Sequence, residues 1–118
     1  MVDTITVWSE ALNSTTLLKI ILPDQADSKK IMILLHGNMN PELSTELLER
    51  FPKELALEEL CNRFGVAVVI PLMKNRYYIS TKDYDCNRFV AVELPELVRK
   101  KYGISDSVEM CFIGILLQ

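Results

Sequence analysis

The segments IMILLHGNMN, residues 31–40, and VAVVIP, residues 66–71, decide the fold. Ile31 to Leu35 is an unbroken apolar run that ends at His36-Gly37. A run of this length without polar alternation reads as a strand buried on both faces. Val66 to Ile70 repeats the pattern, rich in β-branched residues and closed by Pro71, so it reads as a second fully buried strand. Between them, Leu57, Leu60, Cys61 and Phe64 recur at helical spacing. Pro52 can occupy the first turn of that helix, and Gly65 is available as its C-terminal cap. A short helical turn around Leu43 to Leu48 fits the connection that precedes it.

Upstream of this strand–helix–strand unit lie two β-rich runs, Thr4 to Ser9 and Thr15 to Leu22. They are separated by the turn-compatible Asn13 and Ser14 and are expected to pair antiparallel. Downstream, Asp85 can cap a second helix in which Val90, Leu94, Leu97 and Val98 form one stripe while Glu93, Glu96, Arg99 and Lys100 face away. Pro95 inside that helix predicts a kink, and Gly103 ends it. Val108 to Ile113 supplies a further apolar strand. The expectation is an α/β sandwich: an N-terminal antiparallel pair leading into a mostly parallel sheet of about five strands, with two main helices and right-handed crossovers.

The chain has 118 residues, which bounds it to one domain able to bury roughly two-thirds of its unfolded surface. With 49% hydrophobic and 25% charged residues, a packed core is expected and disorder as the main state is excluded. Net charge is only −3 with both signs interspersed, so neither nucleic acid nor an anionic membrane is an expected partner. The first thirty residues carry no basic n-region and no apolar run long enough for a signal peptide or a span, so a cytoplasmic location is expected.

Cys61, Cys86 and Cys111 lack a CxxC spacing and a second histidine, so no metal site and no disulfide set is suggested. They read as buried small hydrophobes. Ser44, Ser80, Ser105 and Ser107 read as loop or turn hydroxyls, and Glu58-Glu59, Asp83, Asp85 and Asp106 as solvated helix faces and caps. No glycine-rich phosphate loop follows any strand.

In open α/β sheets ligands gather at the carboxyl ends of strands, which directs attention to the residues after Leu35, Ile70 and Ile113. The first of these places resembles the strand-end His-Gly motif of the α/β-hydrolases. Read in order, Leu34-Leu35-His36-Gly37, Leu57-Glu58-Glu59-Leu60, Val68-Val69-Ile70-Pro71, Tyr77-Tyr78, Asp83-Tyr84 and Glu93-Leu94-Pro95 resemble the tributyrin esterase and S-formylglutathione hydrolase-like group of esterases across nearly the whole chain. The resemblance implies an oxyanion-hole region at His36, Gly37, Asn38 and Met39, with the backbone amides of Asn38 and Met39 as donors to a tetrahedral oxyanion. It also implies a small ester or acyl ligand, and neither a cofactor nor a metal.

Members of that group continue from the fifth strand into a Gly-x-Ser-x-Gly nucleophile elbow, typically after Phe-Ile-Gly. Phe112-Ile113-Gly114 is present, but Ile115 then stands at the first elbow glycine and Leu117 at the serine. Shifting the register by one puts Leu116 at the serine place, and no serine occurs beyond Ser107. The expected reading is a single partial α/β-hydrolase domain over 1–118 that ends at the elbow, retains the His-Gly motif and has no catalytic residue of its own. His36 precedes the elbow and does not replace the base. Two alternatives stay open: a non-catalytic small-ligand or protein-interaction module, and an unrelated α/β domain of flavodoxin-like type. The resemblance also places the fifth strand beside the third with its other side bare, so self-association through residues 108–117 is expected.

The 118-residue chain is therefore expected to hydrolyse short-chain p-nitrophenyl esters no faster than a denatured-protein control, because oxyanion donors without nucleophile and base give only residual acceleration. Saturable turnover that survives purification and is lost on substituting Ser80 or His36 would overturn this reading.

Overall fold

The computed structural model describes residues 1–24, 30–35, 56–71 and 85–114. Strands β1 (Val2–Ser9) and β2 (Ser14–Ile21) form an antiparallel hairpin running from Val2 opposite Ile21 to Ser9 opposite Ser14. Its turn closes with Asn13 at φ 52°, a left-handed conformation that a short polar side chain tolerates, and the Asn13 amide donates to Glu10 O at 3.2 Å. Strands β3 (Lys30–Leu35), β4 (Val66–Pro71) and β5 (Glu109–Gly114) complete one sheet of order β1-β2-β4-β3-β5. The hairpin joins β4 antiparallel, whereas β4, β3 and β5 run parallel. Each strand lies within two residues of where the apolar runs put it.

Two apolar layers sandwich this sheet, as the unalternating β3 and β4 require. On one face Leu18, Ile20, Ile31, Ile33, Ala67 and Val69 pack with Phe89, Leu94 and Val98. On the other, Ile21, Leu34, Val68 and Ile70 pack with Leu57 and Cys61. Ile20, Ile31, Ile33, Val69 and Ile70 have no exposed surface at all. At roughly 1.5–3 kcal/mol for each such side chain, these central strands hold much of the core's stabilisation.

Helix α1 (Leu57–Phe64) supplies the second layer and differs from expectation at both its start and its stripe. It starts at Leu57 rather than near Pro52, because Ala56 takes φ 52° and leaves the helical path; Pro52 and the turn at 43–48 lie outside the described residues. Gly65 ends it at φ 65°, its amide donating to Cys61 O at 2.9 Å. Of the expected stripe only Leu57 and Cys61 are buried, while Leu60 is 42% and Phe64 57% exposed. The helix touches β4 and β2, so residues on the flank of the stripe overhang the sheet instead of meeting it. Asn62 anchors it to the end of the hairpin, accepting from the Asp24 amide at 2.7 Å and donating to Asp24 Oδ2 at 3.2 Å.

The second helical run begins where expected. The Asp85 side chain caps α2 (Cys86–Arg88) by accepting from the Arg88 amide at 2.9 Å. The kink expected at Pro95 takes the form of a π-turn, Phe89–Glu93, immediately ahead of α3 (Leu94–Tyr102). Proline has no N–H and its ring collides with the carbonyl four residues back, so a regular α-helix cannot run through it unchanged. The π-turn adds one residue, with Leu94 N–H bonded to Phe89 O, and thereby brings Phe89 and Leu94, five positions apart, onto the same buried face. Gly103 closes α3 at φ 63°.

Glu93 does not face away from the core as the sequence suggested. Its carboxylate accepts from Ser9 Oγ at 2.5 Å and from the Ala11 amide at 3.2 and 3.3 Å, with the Arg88 guanidinium 3.9 Å away. The Asp85 amide in turn donates to Ala11 O at 2.7 Å. The extra residue of the π-turn moves Glu93 toward the hairpin turn, where it satisfies polar groups beside the buried Ala11 and Leu12. At the far end of α3, Tyr102 Oη donates to Asp3 Oδ2 at 3.1 Å. Burial, aided by that carboxylate, pushes the phenol up to about 12.

Glu93→Ala strands the Ser9 hydroxyl and the Ala11 amide in a part-buried site and is expected to cost about 1–3 kcal/mol of unfolding free energy in urea, with Glu93→Gln milder. A loss below a few tenths of a kcal/mol for Glu93→Ala would show that solvent replaces the carboxylate at no cost.

Candidate functional site

The parallel part of the sheet fixes where chemistry can be placed. Register pairs Lys30 with Glu109 and runs without slippage to Leu35 beside Gly114, so the carboxyl ends of β3 and β5 lie side by side. Lys30 and Glu109 also form an ion pair at 3.6 Å at the opposite end of these strands. Parallel strands with adjacent carboxyl ends are the usual location of α/β active sites, because the segments leaving them converge on one rim. His36 directly follows Leu35 in sequence and Ile115 directly follows Gly114. His36, Gly37, Asn38 and Met39, with the elbow positions Ile115 to Gln118, lie outside the described residues, as do Tyr77-Tyr78, Asp83-Tyr84, Ser44 and Ser80.

Elsewhere, the polar groups singled out by sequence take structural positions. Ser105 and Ser107 are exposed turn residues with hydroxyls 2.9 Å apart. The Arg99 guanidinium donates to Ser105 O, and to Val108 O at 2.8 Å, closing the turn between α3 and β5. Glu58, Glu59 and Asp106 are exposed. Among the described residues no group of three histidine, cysteine or acidic side chains is disposed to hold a metal ion.

The pair that sequence reading missed is Ser9 with Glu93. A serine donating to a carboxylate invites comparison with a catalytic arrangement, but the Ser9 hydroxyl also accepts from the Leu12 amide at 2.9 Å and is 2% exposed. A nucleophile needs a base and an open approach; this hydroxyl ties a turn to a helix. The residues stand 84 positions apart, and no local pattern announces the contact. A cleft of about 320 Å³ opens beside it, walled by Trp8, Val7, Phe89 and Leu97 with Glu96 and Lys100 at its polar side.

The cysteines behave largely as small hydrophobes. Cys61 and Cys86 are buried and Cys111, on β5, is half-buried; none forms a disulfide. Burial, with Glu58 contributing, pushes the Cys61 thiol up to about 11, away from the reactive thiolate.

No protein-family model matches this sequence, and neither does any curated protein. Solved structures do. The chain is similar to an S-formylglutathione hydrolase from Agrobacterium tumefaciens, with TM-score 0.76 and 16% identity over 97% of this chain and 48% of that one. A fluorophosphonate-binding serine hydrolase of Staphylococcus aureus gives TM-score 0.73 and 18% identity, covering 95% of this chain and 46% of the other. A ferulic acid esterase gives TM-score 0.65 and 21% identity, covering 97% and 49%. At these identities the likeness is one of fold: the chain shares the architecture of part of these α/β-hydrolase structures, and it spans about half their length.

Alkylation of the native protein by iodoacetamide at pH 8 is expected to modify Cys111 first. Cys61, with a thiolate fraction of about 10⁻³ at that pH, and Cys86 should become reactive only in denaturant. Native labelling of Cys61 as fast as Cys111, read by peptide mass spectrometry, would show that the α1 layer opens readily.

Proposed function

We propose that these 118 residues form the oxyanion side of a carboxylic-ester hydrolase fold and lack its catalytic triad, with His36 to Met39 as the oxyanion segment and β5 as the strand after which enzymes of that family carry the nucleophile. The observation that carries this reading is the parallel register that sets Leu35 beside Gly114. A segment leaving β3 can then face a nucleophile presented after β5, the relation that acyl transfer by a serine enzyme requires. In this reading the amides of Asn38 and Met39 meet the oxyanion of the tetrahedral intermediate. A single such donor contributes about 2.7–4 kcal/mol to the transition state. The order Leu34-Leu35-His36-Gly37 before an apolar β4 and Phe112-Ile113-Gly114 at the end of β5 supports it further. Ile115, Leu116, Leu117 and Gln118 supply no nucleophile, so in this reading the 118 residues by themselves do not turn over an ester. The substrate class is a small ester or acyl compound, and neither metal nor cofactor enters the chemistry.

A second reading rests on β5 itself. It is the last strand in the sheet order, and among the described residues nothing pairs with its outer side. Phe112 is 46% and Ile113 38% exposed, and successive strand residues point to opposite faces. Apolar side chains open on both faces of an edge strand are an association surface, since natural edges are normally blunted by charge, proline or bulges. The segment from Met110 to Gly114 carries none of these. Acting as an interaction module, the chain would self-associate through residues 108–117, of which 115–117 lie outside the described residues.

For the first reading, replacing the residues after Gly114 with an elbow and C-terminal half from an esterase of this fold is expected to give a serine esterase that fluorophosphonate labels and that needs no added metal. A folded chimera that resists the label would overturn it. For the second, light scattering after size-exclusion chromatography should show concentration-dependent oligomers, with weak hydrogen-exchange protection over 108–114 at low concentration. A monomer at all concentrations with strong protection there would overturn it.

A further inference from the structure

We draw no further inference here: the strongest candidate, the apolar groove of about 300 Å³ between α1 and the sheet, lined by Met32, Cys61 and Val68 and flanked by the exposed Leu60 and Phe64, carries nothing because nothing in the structure shows what covers it.

Discussion

The interaction on which the structure depends is the parallel pairing of β3 and β4. Both strands are apolar on both faces, so their hydrogen-bonded ladder is stable only when each face is shielded from water. That requirement sets the layers: α1 covers one side through Leu57 and Cys61, and the run from Cys86 to Tyr102 covers the other through Phe89, Leu94 and Val98. The hairpin β1–β2 extends the sheet from β4, while β5 extends it from β3. Everything peripheral is placed by reference to these two strands.

The helical run on the first face shows how a local defect becomes a tertiary contact. Pro95 removes a hydrogen bond that a continuous α-helix would need, and the chain responds with a π-turn one step earlier. The inserted residue keeps Phe89 and Leu94 in register with the sheet and turns Glu93 toward the hairpin. Its carboxylate there supplies the acceptor for two donors, the Ser9 hydroxyl and the Ala11 amide. A reading of Glu93 as a solvated residue fails because it assumes a uniform period of 3.6 across a proline.

The proposed site draws on the same frame. Bringing the carboxyl ends of β3 and β5 together needs no functional side chain, only the unslipped register from Lys30–Glu109 to Leu35–Gly114. The Lys30–Glu109 ion pair gives β5 a polar start at the opposite end from the proposed site. Its exposed Phe112 and Ile113 follow from its place at the border of the sheet, where a sequence suited to two covered faces has a neighbour on one side only.

By itself the sequence determined the elements and their class. The apolar runs at 31–35 and 66–70, the caps at Asp85, Gly65 and Gly103, and the Asn13 turn are signals carried by a few adjacent residues, because strand burial and helix termination are local in origin. The His36-Gly37 pair after a buried strand reads as an oxyanion segment only through a family resemblance, and it lies outside the described residues. Only the tertiary structure decided which flank of the 57–64 stripe would be left exposed, how Pro95 would be accommodated, and that Glu93 would bond to Ser9. Those outcomes rest on contacts between groups up to 84 positions apart. Such contacts depend on how far one layer overhangs another and on which polar groups a packed interface leaves without water, and neither quantity is encoded in any window of neighbouring residues.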